Sequence, residues 1–185
     1  MIENNENKEI CSACGGVCCN TLPGNSYPED FGFEGITQEQ VLEGLIEMFK
    51  TGNWQIDWWD GKLPDDICSK NALFIRPSTK KGRGRIYHGA WAFEGCIFHT
   101  QTGCTLTFDE RPHDCKALVP RAHKCMRPLE EGQINAKLVA IEKWSPYEDL
   151  IMKAAAELGE EEPTEDEDGL GVLTGFLQML DKYRR

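Results

Sequence analysis

The spacing of apolar positions changes several times along this chain, and each change marks an element. Val41, Leu42, Leu45, Ile46 and Phe49 recur at helical period. Thr37 with Gln40 three residues on forms a capping-box start, and Gly52 supplies the stop. Trp54, Ile56 and Trp58 then alternate with polar residues, which predicts a short strand. Ala72-Leu73-Phe74-Ile75 predicts a second, ended by Pro77. The basic, glycine-broken run Lys80 to Arg85 reads as a hairpin tip. Strand-like sequence returns at Ile86-Tyr87 and at Cys104 to Phe108. A short helix is expected from Arg111 to Leu118, capped by Asp109, with Pro112 in its first turn.

The last third is helical in pattern. Ala136 to Lys143 is apolar and reads as helix. Ser145-Pro146-Tyr147-Glu148 combines an N-cap, a first-turn proline and a capping-box glutamate. Leu150, Ile151, Ala154, Ala155 and Leu158 supply that helix's buried face, and Gly159 its end. Leu170 to Tyr183 predicts a final helix with basic residues at its C-terminus. The expected fold is a small α+β, cysteine-rich domain with irregular loops, a few short antiparallel strands and peripheral helices. Residues 1–10 are expected to be disordered and 11–35 to be an irregular loop. The body runs over 11–159, an acidic linker over 160–168 and a C-terminal helix over 169–185.

Composition narrows the function. With 40% apolar residues in 185, the chain has enough for a core. The net charge of −11 opposes general binding to nucleic acid or to an anionic membrane. No apolar run is long enough to span a bilayer. The N-terminus is polar and acidic, unlike a secretory signal, so a cytoplasmic location is expected.

Nine cysteines alter the picture most. Four fall in Cys11-Ser-Ala-Cys14-Gly-Gly-Val-Cys18-Cys19, and four more are Cys96, Cys104, Cys115 and Cys125. Cys68 stands between the groups and is the best candidate for an ordinary buried thiol. Structural disulfides fit poorly: the count is odd, Cys18 and Cys19 are adjacent, and a cytosolic protein rarely forms them. Thiolates are soft ligands, and sites for zinc, iron or iron–sulfur clusters usually take four. Cys11-x2-Cys14 aims two sulfurs from one turn, and Gly15 and Gly16 let the chain return Cys18 to the same centre. The side chains of Cys18 and Cys19 are expected to diverge, one serving a second metal nearby. The second group has long gaps and must be assembled by tertiary structure. Two centres, or one multinuclear centre, fit better than a single ion. Arg111, Lys116, Arg121, Lys124 and Arg127 interleave with Cys115 and Cys125 and would offset thiolate charge. Local spacing leaves zinc and iron both open.

Cys11-x2-Cys14-x3-Cys18-Cys19, then Cys96, Gly103-Cys104-Thr105-Leu106 and Arg111-Pro112-x2-Cys115, together resemble the YkgJ-like cysteine-cluster family, described as a zinc- or iron-chelating domain. The resemblance covers residues 11 to about 125. Where the family usually has C-x-F-L, this chain reads Cys96-Ile97-Phe98-His99. The resemblance implies metal binding and no settled activity, although some members are linked to protein lysine methylation.

His99, His113 and His123 lie two or three residues from a cysteine; the favoured role for each is supporting or surface histidine rather than ligand, because eight thiols suffice. His88 is read as structural. Trp54, Trp58 and Trp59 are read as packing rather than a binding platform. No phosphate loop, dinucleotide motif or catalytic constellation is present. The leading function is a metal-binding protein holding iron, as an iron–sulfur or polynuclear iron centre, for redox or electron-transfer chemistry with a redox or protein partner. The alternatives are a structural zinc adaptor and an accessory or catalytic protein in side-chain modification.

Overall fold

In the computed structural model the described residues are 4, 7–91, 93–101, 103–119 and 136–160. They form an α+β domain with two small antiparallel sheets. Strands β1 (Trp54–Trp58) and β2 (Leu73–Pro77) pair with Ile56 opposite Ile75 and Trp58 opposite Leu73. Every residue of β2 is buried, so this strand is the spine of the core. β1 is paired on its other edge as well. Ile56 donates its amide to Ile86 O at 2.6 Å and its carbonyl accepts from His88 N at 3.0 Å, as a parallel bridge to Tyr87. The segment after the basic loop therefore does not fold back on β2 as a hairpin, contrary to expectation. Gly84 and a tight turn closed by Arg85 N to Gly82 O carry the chain across to β1 instead.

Helix α3 (Gln38–Lys50) forms where the pattern places it. Thr37 and Gln40 exchange both capping bonds, and Gly52 takes a left-handed φ of 66° just past the end. Its apolar face, with Leu45 fully buried, packs on α6 (Glu148–Glu157), while α5 (Ala136–Trp144) packs on β2. Ile56, Phe74, Ile75, Ile141, Trp144 and Ile151 close the core without solvent access. Trp144 reaches furthest. Its indole N–H donates to Ser26 O at 2.8 Å, which ties α5 to the loop leading away from the cysteines.

Four expectations are corrected here. The N-terminal stretch is helical from residue 8: α1 (Lys8–Cys14) starts because Asn7 Oδ1 accepts from Ile10 N at 3.0 Å. The first cysteine region is not irregular throughout, since α2 (Val17–Thr21) follows at once. Gly15 and Gly16 lie at φ 63° and 64°, and two successive left-handed residues separate the helices. The strand expected over Cys104–Phe108 shrinks to β4 (Gly103–Cys104), paired with β3 (His99–Thr100). The helix expected over Arg111–Leu118 is the single turn α4 (His113–Lys116), capped at Pro112 and not at Asp109.

A further correction concerns Glu148. It does not close a capping box, because Ser145–Tyr147 is a 3₁₀ turn and Ser145 Oγ donates instead to Cys68 O at 2.9 Å. Buried Glu148 accepts from Ser69 Oγ and from the amides of Lys70, Asn71 and Leu73. A buried carboxylate needs several donors, and the loop before β2 supplies them. Cys125, His123, residues 161–168 of the acidic segment and the helix expected at Leu170–Tyr183 lie outside the described residues.

Candidate metal centre

Seven of the eight predicted ligand cysteines line one cavity of about 560 Å³. Cys11 and Cys14 come from α1, Cys18 and Cys19 from α2, Cys96 from the bridge to Thr79, Cys104 from β4 and Cys115 from α4. A smaller adjoining cavity of about 240 Å³ shares Cys18, Cys19 and Cys115. The two sequence groups thus meet in one place. The eight described cysteines are all free thiols. Cys68 is exposed and absent from both cavities, so it is not the buried core thiol expected.

Local structure explains how each thiol reaches the wall. The glycine pair breaks the helix between α1 and α2, and cysteines from both line the cavity. The carbonyl of Cys19 accepts from Cys96 N at 2.7 Å, and Ile97 N donates to Ser78 O at 3.0 Å. These bonds lace the second cysteine segment between α2 and the end of β2. Cys19 therefore bridges the two groups through its backbone. Cys115 is set against Gly24, where an ideal Cβ would lie 2.6 Å from Cys115 Sγ and 3.1 Å from Cys115 N. Only a residue without a side chain permits that approach. Gly24→Ala is expected to lower both stability, by about 1–3 kcal/mol, and metal content. Urea unfolding and elemental analysis of the purified variant test this; an unchanged metal content would refute the contact's role.

Cys18 Sγ and Cys19 Sγ are 3.8 Å apart, closer than the divergence expected of neighbours. Two thiolates on one tetrahedral ion, at bonds of about 2.3 Å, stand about 3.8 Å apart. The pair therefore suits a shared ion. The whole set does not converge in that way: among the described residues, no group of three Cys, His, Asp or Glu is gathered as an ion would require. The seven cysteines share the cavity wall with Pro77, Phe98, Leu106 and Leu118 among others.

Burial sets the proton state. It pushes the Cys96 thiol up to about 11, with neighbouring Cys104 adding to the rise and Lys80 opposing it. Burial pushes Cys115 up further, reinforced by Cys96 and Cys104 and opposed by the Gly24 amide. Metal-free, both are neutral thiols at neutral pH. The mutual effects also show Cys96, Cys104 and Cys115 within electrostatic reach of each other.

The nearby charges differ in part from the sequence expectation. Arg111 lines the cavity, and its Nε donates to Leu106 O at 3.3 Å. Lys116 turns its ammonium to Asp30 at 2.7 Å. Lys80, read as part of a hairpin tip, acts on Cys96. Arg121, Lys124 and Arg127 lie outside the described residues. His113 is a packing residue: it stacks on Tyr27 with ring centroids 4.1 Å apart and does not line the cavity. His88 pairs with Glu94 at 2.8 Å. His99 does line the cavity. Trp54, Trp58 and Trp59 pack against the core.

Behind Cys115 lies a polar chain that sequence reasoning missed. Asp114 Oδ2 accepts from Asn25 Nδ2 at 2.7 Å, and Asn25 Oδ1 accepts from the Arg76 guanidinium at 2.7 Å. Arg76 Nε lies 3.0 Å from Asp57 Oδ2 as an ion pair without hydrogen-bond alignment. Asn25 and Asp114 are 89 residues apart in sequence, so no local signal announces them.

No protein-family model matches this chain, and no curated protein or solved structure matches it either.

Proposed function

We propose that this chain is a cysteine-ligated metal-binding protein that holds iron, as an iron–sulfur or polynuclear iron centre, for redox or electron-transfer chemistry. The observation that carries the reading is the single cavity walled by Cys11, Cys14, Cys18, Cys19, Cys96, Cys104 and Cys115. Seven soft donors exceed the four of a closed zinc site, and the surplus favours a centre with more than one metal. Iron bound there would supply a one-electron redox couple. The residues supply cysteine sulfur donors and, in Arg111 and Lys80, positive charge beside them. The resemblance to the YkgJ-like cysteine-cluster family points the same way. Free thiols suit a reducing compartment, and we place the protein in the cytoplasm, acting with a redox or protein partner. Among the described residues no helix is long and apolar enough to cross a membrane.

The test is purification of the full chain without oxygen. Brown protein containing iron, with acid-labile sulfide for an iron–sulfur centre, is expected. Colourless protein carrying stoichiometric zinc, or no metal at all, would overturn the reading.

A further inference from the structure

We propose that His99 is a metal ligand through Nδ1, so that Cys96-x2-His99 forms a second local chelating pair. The proposal rests on the metal-binding reading above and extends it to a residue that eight thiols would leave outside the centre.

Three observations carry it. First, the backbone shape is right: His99 N donates to Cys96 O at 3.0 Å, closing a tight turn with Cys96 and His99 at its ends. Such a turn brings two donors with two intervening residues to one point, as the C-x2-C spacing does at Cys11 and Cys14. Across the small sheet, His99 stands directly opposite Cys104. Directly opposed residues of an antiparallel pair project to the same face. Cys96, His99 and Cys104 are thus delivered to one side, and all three line the cavity.

Second, the tautomer is assigned by a partner that only accepts. His99 Nε2 lies 3.0 Å from the carbonyl of Gly15. A carbonyl has no proton to give, so Nε2 carries the hydrogen and Nδ1 presents a bare lone pair. A metal-binding histidine is held in this way, with its other ring N–H on a backbone carbonyl. The loop is shaped for that contact: an ideal Cβ at Gly16 would sit 2.5 Å from His99 Nε2, and Gly16 has a left-handed φ of 64°.

Third, Nδ1 is buried and has no hydrogen-bond partner among the described residues. An imidazole nitrogen shut away from water without a donor is costly to maintain. A metal ion beside it removes that cost. The Nε2 edge of the ring rests on the same Gly15-Gly16 turn that joins Cys14 to Cys18.

The experiment uses the full chain labelled with ¹⁵N-histidine, and Zn²⁺ as a diamagnetic probe. Long-range proton–nitrogen correlation spectra are recorded before and after loading, and His99→Gln identifies the His99 signals. The metal-free protein is expected to show Nε2 protonated and Nδ1 in the unprotonated range. On loading, His99 Nδ1 moves upfield while Nε2 keeps its proton. In competition with a chromophoric chelator, His99→Gln is expected to bind Zn²⁺ about tenfold or more weakly. Zinc bound with Nδ1 unmoved would overturn the ligand assignment and leave the metal centre standing on its thiols. Failure of the unaltered chain to take up either zinc or iron would remove the metal reading itself.

Discussion

Arg76→Met is expected to lower the unfolding free energy by about 3–5 kcal/mol, because it strands a buried carboxylate. Arg76 and Asp57 are both nearly inaccessible, at 2% and 1% exposure, and their side chains pair at 3.0 Å in the middle of the main sheet. Asp57 Oδ1 already accepts from the amide of Trp58 at 2.8 Å. Its other near cation, Lys137, stands off at 3.9 Å, with burial lowering the lysine's affinity for its proton and Asp57 opposing that. Lys137 cannot replace the guanidinium at that distance. Arg76 also stacks on Phe74, with its guanidinium carbon 4.8 Å from the ring centroid, which methionine retains only in part. Urea unfolding of the metal-free chain measures the cost. The companion variant Asp57→Leu with Arg76→Met should lose less than Arg76→Met alone, because no charge is left unpaired. A single-variant loss below about 1 kcal/mol would show that the pair is dispensable.

The same substitution reaches the cysteine cavity. Arg76 holds Asn25, Asn25 holds Asp114, and the Asp114 amide donates back to Asn25 O at 3.2 Å. This double clasp seats Gly24 against Cys115. Metal content should therefore fall in Arg76→Met together with stability, whereas loss of core packing at a remote site would lower stability alone.

Metal uptake should depend steeply on pH, with Cys96 and Cys115 alone giving about a hundredfold, as a minimum, in apparent affinity per pH unit near neutrality. The sign follows from the thiols. A thiolate binds metal and a thiol does not, so each ligand protonated in the free protein releases one proton on binding. Cys96 is held up to about 11 and Cys115 higher still, chiefly by burial. Both remain protonated across the neutral range and contribute about tenfold each per unit. Affinity rises with pH accordingly. The metal-free fold responds in the opposite sense. An unfolded cysteine ionises near 8.5, well below the folded value, so the folded state's advantage is intact below that pH and is lost as pH rises towards about 11. Chelator competition with Zn²⁺ at several pH values reads the first slope, and alkaline unfolding of the metal-free chain the second. A pH-independent zinc affinity would show that Cys96 and Cys115 are not ligands.

Which parts were legible in sequence depended on the range of the interactions concerned. Helix α3 was readable to its caps, because Thr37, Gln40 and Gly52 act on their own neighbours. Strands β1 and β2 were readable from alternation and from Pro77. Glu148 looked like an N-terminal cap by the same local logic, yet it serves a loop nearly 80 residues away. A buried carboxylate takes the strongest donors in reach, and reach is set by packing. The loop Lys80–Arg85 misled for a related reason: its composition announced a turn but not which edge the chain would join after it.

The cysteines divide along the same line. Their type and clustering, with Cys18 next to Cys19, show by sequence alone that soft donors are concentrated here and that four lie within nine residues. Spacing is local covalent geometry, so it can be read directly. Tertiary structure alone decided that Cys96, Cys104 and Cys115 close on the same cavity as α1 and α2. It also decided that Gly24 seats Cys115, and that His99 rests Nε2 on the Gly15 carbonyl while its Nδ1 is buried. Those placements depend on backbone bonds between Cys19 and Cys96 and between Asn25 and Asp114, residues more than 70 positions apart, whose meeting depends on the burial of the sheet between them.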